Sequence, residues 1–266
     1  MHYMENHFDL RINPLKLFQG AKSVITLLQN YYPEEHQDPQ SPKVSKYAYG
    51  KDYHEVIRDK LNTLIHIIKE NIGDINGRGF VDSAPVLERS WAMRSGAGWI
   101  GKNGNLITKQ QGSYFFIATL ITDLDLIADD AFAKDYCGTC TKCIDSCPTN
   151  AIKENKVIDG SRCISYFTIE LKDAIIPTKM KNKFEHWMFG CDICQDVCPW
   201  NRFSKPTSEI AFTPIPEILD LSTEEWLSMS KEAFNRIFKS SPLKRAKYSG
   251  IQRNLKFIET GSSVIT

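Results

Sequence analysis

The run CGTCTKCIDSCP, residues 137–148, contains four of the cysteines and decides the fold of the region around it. Its spacing, C-x2-C-x2-C-x3-C-P, is that of bacterial ferredoxins. In such a run three closely spaced thiolates bind one 4Fe–4S cube, and the fourth cysteine binds the other cube. A structural zinc ion usually takes two separated C-x2-C pairs. The spacing therefore favours iron–sulfur clusters over zinc.

A second run, CDICQDVCP at residues 191–199, has one cysteine fewer. Aligned on the same template, it places Met188 at the first ligand position, where a thioether is a poor substitute for a thiolate. The one cysteine outside both runs is Cys163. A free cysteine is often just a small buried apolar side chain, but the missing thiolate favours Cys163 as a ligand. The predicted ligand sets are Cys137, Cys140, Cys143 and Cys198 for cluster 1, and Cys147, Cys163, Cys191 and Cys194 for cluster 2.

The composition is that of a soluble globular protein, with 42% hydrophobic and 24% charged residues in a chain of 266. This length is enough for one large domain or two ordinary ones. The longest apolar runs, such as YFFIATLI, are too short to cross a bilayer, and no signal peptide opens the sequence. Eight cysteines in such a chain indicate metal ligation in a reducing compartment. We therefore expect a cytoplasmic protein that makes no contact with membranes.

The first 130 residues predict a mixed α/β or α+β domain. β-branched and apolar runs predict strands, and apolar residues at helical spacing predict helices. The turn QQGS, between NLITK and SYFFIATLIT, predicts a β-hairpin. The predicted elements are a strand at 21–32, a loop at 33–46, a helix at 52–72, a strand and turn at 77–85, a helix at 86–94, and the hairpin at 105–122.

The glycine-rich stretch GAGWIGKNGN, residues 96–105, differs from the known phosphate-binding motifs. It lacks the spacing of a P-loop, and it precedes a strand instead of opening a helix after one. We therefore interpret it as a loop whose backbone amides can line a cofactor pocket.

Charge is distributed unevenly along the C-terminal part of the chain. Residues 231–256 contain eight lysines and arginines against the single acid Glu232, whereas residues 209–225 contain five acids and no base. A concentrated basic segment is typical of contact with nucleic-acid phosphates. A solvated helical face is the alternative interpretation.

Taken together, these motifs resemble the cobalamin-dependent epoxyqueuosine reductases of queuosine-tRNA biosynthesis. The ferredoxin motif alone is unspecific, but the order of the segments is specific, and the resemblance covers nearly the whole chain. The segments that carry it are YAYGKDYHEVI (47–57), FVDSAPVLERSWAMRSGAGWIGKNGNLI (80–107), CGTCTKCIDSCPTNAI (137–152), CISYFTIE (163–170), CDICQDVCPWN (191–201) and PLKRAKYSGIQRN (242–254).

The resemblance implies an α+β fold in three parts. A cobalamin-binding domain of nitroreductase-like topology is expected at 1–130, a bacterial-type ferredoxin domain with two 4Fe–4S clusters at 131–205, and a C-terminal segment with a short basic tail at 206–266. The implied reaction removes the epoxide oxygen of epoxyqueuosine at the tRNA wobble position, which gives queuosine and water. The implied cobalamin has no histidine below the cobalt. DYHEVI agrees, since it lacks the glycine that follows the histidine in the histidine-ligand motif.

The resemblance also implies site residues. Asp82 matches the family's proton donor, and its apolar neighbours are expected to raise its pKa toward neutrality. Its alternative role is that of a turn residue ahead of Pro85. Asp52, Tyr53 and His54 are candidates for the cofactor and substrate pocket. Without the resemblance they would be the start of a helix, with Asp52 as the cap.

The expected partners are tRNA carrying epoxyqueuosine and a low-potential electron donor such as flavodoxin or ferredoxin, and we expect a monomer. Two alternative functions are a reductive dehalogenase and an electron-transfer ferredoxin with an appended domain. Compared with the family, the chain is expected to begin late, which would remove elements of the cobalamin pocket. Some members append a helical-repeat module that is not seen here, so we expect the basic segment to take a larger part in tRNA binding.

Overall fold

The structure is a computed structural model, and it describes residues 5–262. Within that range no helix combines the length and the apolar character needed to cross a bilayer. The strands are β1 (Ser23–Asn30), β2 (Lys43–Val44), β3 (Gly77–Phe80), β4 (Trp99–Ile100), β5 (Leu106–Ile107), β6 (Phe115–Thr122) and β7 (Trp187–Phe189). The helices are α1 (Phe8–Ile12), α2 (Pro14–Leu17), α3 (Tyr53–Asn71), α4 (Glu88–Arg94), α5 (Lys142–Asp145), α6 (Ile193–Asp196), α7 (Pro216–Asp220), α8 (Thr223–Ser228), α9 (Lys231–Ile237) and α10 (Lys247–Ser262).

A three-stranded antiparallel sheet, in the order β1-β6-β3, forms the centre of the N-terminal part. The middle strand β6 is almost wholly buried. Its residues alternate between two layers, because successive side chains of a strand point to opposite faces. Phe116, Ala118 and Leu120 pack in a core with Val56, Ile57 and Leu61 of α3. On the other face Ile121 packs with Trp91 of α4. Burial on both faces explains why YFFIATLI is apolar without alternation.

Most of the predicted N-terminal elements are present. The strand at 21–32, the helix at 52–72 and the strand at 77–85 appear as β1, α3 and β3, with slightly shorter bounds. The helix predicted from Val86 begins at Glu88. The loop at 33–46 contains the short strand β2, which pairs in parallel with β7, far along the chain. Sequence periodicity gives no signal for a two-residue strand of this kind.

The hairpin predicted at 105–122 is wrong. Both edges of β6 are already hydrogen-bonded, to β1 on one side and to β3 on the other, so β5 cannot pair along it. β5 instead pairs antiparallel with β4. Only the isolated bridge between Thr108 and Gly112 remains of the predicted hairpin.

A second core lies in the C-terminal part and draws on distant segments. It joins Val44 and Tyr49 to Phe167, to the strand β7, and to residues of α7–α10 such as Trp226 and Leu255. Helix α10 contacts both β7 and α8. The basic segment therefore contributes buried side chains to a core, and its helices are not a detached tail. The domain boundaries at 130/131 and 205/206 stay a prediction.

Candidate active site and cysteine cavities

The eight cysteines line two separate cavities. Cys137, Cys140, Cys143 and Cys198 line one of about 260 Å³, called here the first cysteine cavity. Cys147, Cys163, Cys191 and Cys194 line another of about 480 Å³, called the second cysteine cavity. The grouping has the same members as the two predicted ligand sets. Which thiolates bind which iron stays a prediction.

The size of these cavities bears on the kind of metal group they fit. A zinc ion held by four thiolates at ~2.3 Å fills the space between its ligands. A volume of about 260 Å³ leaves room for several heavy atoms. The cysteine cavities thus fit multi-atom clusters better than single ions.

Met188, at the vacant template position, does not line the second cysteine cavity. Its side chain is fully buried in the C-terminal core, and its carbonyl accepts a hydrogen bond from Asn254 (2.8 Å). Cys163 lines the cavity just before a π-helical turn at Tyr166–Glu170. Met188 is therefore a packing residue, and Cys163 is the fourth cysteine in the lining of the second cysteine cavity.

The glycine-rich loop lies between the two cysteine cavities. Lys102 Nζ donates hydrogen bonds to the carbonyls of Gly138 (2.8 Å) and Cys140 (3.0 Å). Asn103 Nδ2 donates to the carbonyl of Cys194 (3.1 Å) and lines both cavities. At Gly98 an added Cβ would overlap the carbonyl oxygen of Ile107, so β4 and β5 can approach only at a glycine. The glycine-rich stretch, which the sequence predicted to be a loop, thus connects the cysteine loops to the N-terminal part through hydrogen bonds.

A third cavity of about 940 Å³, called the outer cavity, adjoins the second cysteine cavity. The two share Tyr47, Tyr53, Asp82 and Arg89 in their linings. Because Asp82 borders both, its carboxyl group stands between the cysteines and the outer cavity.

Asp82 is positioned by the start of helix α3. Tyr53 Oη donates a 2.6 Å hydrogen bond to Asp82 Oδ2, and His54 Nε2 lies 3.5 Å from the same oxygen. The ring of Tyr53 stacks on Phe116, with centroids 4.2 Å apart. Asp82 has a φ of 52°, in the left-handed region that few non-glycine residues adopt. Its backbone amide donates to Glu88 Oε1 (2.7 Å). These contacts hold an unusual conformation in place.

Asp52 caps α3 and orients His54. One carboxylate oxygen of Asp52 accepts hydrogen bonds from the backbone amide of His54 (3.0 Å) and from its Nδ1 (2.8 Å). The Nε2 atom is therefore left facing Asp82. Hydrogen bonds to Asp52 and then to Asp82 raise the pKa of His54 to about 9. His54 is thus an imidazolium at neutral pH. Asp52, Tyr53 and His54, which the sequence placed together, line the outer cavity.

The expected rise in the pKa of Asp82 is wrong for the protein as the structure describes it. The hydrogen bond to His54 lowers this pKa and outweighs burial, which raises it. The side chain is 63% exposed, so the apolar neighbours Phe80 and Val81 point away from it into the core. Sequence neighbours gave the wrong environment because Phe80 and Val81 are buried in two different cores, whereas Asp82 lies in the turn after β3 with a positive φ.

Glu88, which lines the outer cavity, is a carboxyl group whose pKa is shifted upward. Burial raises it to about 7, although the hydrogen bond from the Asp82 amide opposes this. Sequence reasoning did not single out Glu88. The signal available was its place at the first turn of α4, six residues after Asp82.

Basic side chains from distant parts of the chain surround the outer cavity. They are Arg11 from α1, Arg89 from α4, Lys156, and Lys244 with Arg245 from the basic segment. Arg245 pairs with Glu170 at 2.7 Å and remains 62% exposed. Arg253, by contrast, donates hydrogen bonds to the carbonyls of Phe167 and Leu171 and supports the core. Part of the basic segment therefore faces the cavity and part is structural.

The fold and the two cysteine cavities are those of an iron–sulfur protein in which an N-terminal α/β unit adjoins a double-cluster ferredoxin unit. Residues 136–201 match the family model described as a 4Fe-4S double cluster binding domain. Residues 11–83 match the model described as epoxyqueuosine reductase QueG.

The chain belongs to the epoxyqueuosine reductase family. It is 57% identical to the epoxyqueuosine reductase of Cyclobacterium marinum over 99% of this chain and 84% of that one, and 40% identical to that of Synechocystis over 92% and 85%. A crystal structure of an epoxyqueuosine reductase with an epoxyqueuosine-modified tRNA-Tyr stem loop is also similar, with a TM-score of 0.86, 31% identity, and coverage of 95% of this chain and 68% of that one. The Bacillus subtilis enzyme, with its catalytic aspartate loop swung out of the active site, has a TM-score of 0.87 at 30% identity over 95% and 68%.

Proposed function

We propose that this chain reduces epoxyqueuosine in tRNA to queuosine, with cobalamin and with electrons relayed by two 4Fe–4S clusters. The observation that carries the proposal is the position of Asp82. It borders a cavity lined by four cysteines on one side and a larger cavity surrounded by basic side chains on the other. A redox group, an acid and a site for an anionic substrate thus meet at one residue.

The reaction consumes two electrons and two protons for each epoxide. The carbon–oxygen bonds of the epoxide break, an alkene forms, and the oxygen leaves as water. Because an unprotonated oxygen leaves with difficulty from a dry site, a positioned acid contributes about 10²–10⁴-fold to the rate.

We assign the acid to Asp82 with His54 as its proton source. With the outer cavity open to water, Asp82 is ionised and His54 carries the proton. Substrate in the outer cavity excludes water from Asp82, and desolvation favours the neutral form of a carboxyl group. A proton then moves across the 3.5 Å between His54 Nε2 and Asp82 Oδ2. Tyr53 keeps the accepting oxygen in place throughout.

Cobalamin is proposed to lie where the second cysteine cavity meets the outer cavity, with the cluster at the cysteines on one side of it and the substrate in the outer cavity on the other. The apolar side chains of Leu106, Phe115, Ile117 and Ile158 line the second cysteine cavity and suit the face of a large flat ring. No histidine lines that cavity, and His54 is engaged with Asp52 and Asp82. These features support a cobalamin without a histidine ligand. When bound, the cofactor supplies the two-electron chemistry at the epoxide, which no side chain can supply.

The four cysteines of each cavity are proposed as the ligands of one 4Fe–4S cluster. The first cysteine cavity takes Cys198 from the second run, and the second cavity takes Cys147 from the first run. Crossed ligation of this kind is what the ferredoxin run predicts. Asn103 lines both cavities, which supports clusters close enough for electron transfer between them.

The tRNA is proposed to enter over the outer cavity. Lys244, Arg245 and Arg11 lie on its lining and can neutralise phosphates next to the modified nucleoside. This placement supports RNA contact by the basic segment, whose sequence alone left the choice open between RNA contact and a solvated face.

The proposal is tested by anaerobic reconstitution with components left out in turn. Protein loaded with iron, sulfide and cobalamin, supplied with a low-potential reductant, is expected to convert epoxyqueuosine in tRNA to queuosine. Omission of cobalamin alone, or of iron and sulfide alone, should abolish conversion while tRNA binding remains. Full conversion by protein that lacks cobalamin would contradict the assignment of the cofactor.

A further inference from the structure

The first cysteine cavity shares no lining residue with the outer cavity. Its lining contains Lys102 and Arg202 together with its four cysteines, and none of the residues proposed for catalysis. The second cysteine cavity is the one that contains Asp82. Electrons that enter at the first cavity therefore have the second cluster between them and the substrate.

Two cationic side chains, Lys102 and Arg202, line the first cysteine cavity, and two more belong to residues next to its lining: Lys109, which contacts Tyr136, and Lys142, which precedes Cys143 in the chain. We call these four residues the entry patch. Lys109 Nζ lies 4.1 Å from the ring centroid of Tyr136, which lines the cavity. Lys142 begins α5, next to the ligand Cys143. Lys109, Lys142 and Arg202 are exposed, and Lys102 is half-buried.

The positive charge of the entry patch is not neutralised by nearby carboxylates. In the described part of the chain none of its four members makes an ion pair. Of the acids in or beside the first cysteine run, Asp135 pairs with Lys156 (2.8 Å), whereas Asp145 accepts a hydrogen bond from Thr141 (2.7 Å) and keeps its charge against the four cations of the patch. The patch thus presents net positive charge beside a redox centre.

An apolar, rigid surface accompanies the charges. Tyr136 and Trp200 are half-buried and pack on the buried Trp99, with ring centroids 5.0–6.1 Å apart. Phe203 is 38% exposed, and the guanidinium carbon of Arg202 lies 4.3 Å from its ring centroid. An apolar centre with a charged rim is the usual composition of a protein docking surface.

We propose that the entry patch docks an acidic one-electron carrier protein that reduces the cluster of the first cysteine cavity. In each encounter the carrier's reduced group loses one electron and the cluster gains it, so two encounters supply the two electrons that one epoxide consumes. Complementary charge mainly raises the rate of association, by about 10- to 1,000-fold, and the gain falls as salt increases. The proposal depends on the proposed function only for the need for electrons.

Stopped-flow reduction of the reconstituted protein tests this, with the loss of visible cluster absorbance as the signal. A reduced acidic flavodoxin serves as the carrier, and reduced methyl viologen, a small cation that the patch does not attract, serves as the comparison. For the unaltered protein, the second-order rate constant with flavodoxin should fall at least about tenfold between low and high salt. A rate constant independent of salt would overturn the proposal.

The variant Lys109→Glu/Lys142→Glu/Arg202→Glu should react about tenfold or more slowly with flavodoxin and at an unchanged or higher rate with methyl viologen. Lys102 is left intact because it holds the cysteine loop.

The matched control changes three exposed lysines elsewhere in the chain to glutamate, and it should react normally with both reductants. These lysines are Lys69, Lys172 and Lys181. Equal slowing of the patch and control variants would overturn the proposal. If the triple variant loses iron, Lys109→Glu alone tests the proposal in the same way, because Lys109 lies outside both cysteine runs. Neither readout requires conversion of tRNA, so failure here is distinct from failure of the proposed function.

Discussion

The carboxylate of Asp82 lies between a tyrosine hydroxyl and an imidazolium, which keeps it charged while water fills the outer cavity. In the proposed mechanism, Asp82 receives its proton only when substrate excludes water from the cavity. The proposal therefore ties the presence of the acid to the presence of the oxygen that it protonates.

Asp82→Asn is expected to slow single-turnover conversion by about 100- to 10,000-fold, because the amide keeps the shape but has no acidic proton. Iron, cobalamin and tRNA binding should be unchanged. Asp59→Asn, on the exposed face of α3, is the matched control and should turn over normally. Near-normal conversion by a fully loaded Asp82→Asn enzyme would return Asp82 to the role of a turn residue.

Glu88 makes stability depend on pH. Its pKa is raised from 4.5 in the unfolded chain to about 7 in the folded protein. The folded protein therefore holds this proton more tightly, so the stability it provides is present below pH 4.5 and is lost as the pH rises through 7. Glu88→Gln should consequently melt at a higher temperature than the unaltered protein at pH 8, but not at pH 4.5. If Glu88→Gln and the unaltered protein differed in melting temperature by the same amount at pH 4.5 and at pH 8, the result would contradict the account.

Cysteine spacing predicted the members of both cysteine groups, because a cluster constrains sequence distance directly. The pKa of Asp82 could not be predicted in the same way. It depends on His54, which is far away in the chain and is brought close only by the packing of α3 against the sheet. Glu88 was missed for the same reason.

At the scale of elements, the central strand β6 explains both a success and an error of sequence reasoning. Its apolar run indicated a buried strand, and the strand is there. Its partners were not predictable from the neighbouring turn, because β1 and β3 take both of its edges. A hairpin signal says which strands are close in sequence, whereas pairing is decided by the whole sheet.

The turn that carries Cys163 gives a prediction at this scale. Cys163→Ala removes a thiolate from the lining of the second cysteine cavity. Met188, at the first ligand position of the template, cannot replace it because its side chain is fully buried in the C-terminal core. The reconstituted variant should retain about four of about eight irons per chain, with cluster 1 intact. Ser161→Ala, two residues earlier and exposed, should retain all of them. Eight irons with unaltered spectra in Cys163→Ala would refute the ligand assignment.

At the scale of the whole molecule, the outer cavity collects basic residues that the sequence holds far apart. More than a hundred residues separate Arg11 from Lys156, and Lys244 lies farther still along the chain. Only the packing of the C-terminal core brings Lys244 to the cavity. The charge of the basic segment was visible in the sequence, but the division between cavity-facing and core-supporting residues was not.

Lys244→Gln/Lys247→Gln is expected to weaken tRNA binding and to reduce the dependence of log affinity on log salt concentration by about two, one for each phosphate that a lysine no longer neutralises. Lys69→Gln/Lys181→Gln carries the same change in charge elsewhere and should leave the slope unchanged. A salt titration of tRNA binding by fluorescence anisotropy measures both. Identical slopes for the two variants would argue against RNA contact by the basic segment.

The central claim is that the whole chain removes an oxygen atom by reduction. The most direct measurement is the mass of the modified nucleoside after anaerobic incubation of reconstituted protein with tRNA bearing epoxyqueuosine, together with the electrons consumed. The account predicts a nucleoside lighter by one oxygen atom and two electrons consumed for each one formed. A nucleoside of unchanged mass, or one heavier by a molecule of water with no electrons consumed, would contradict it.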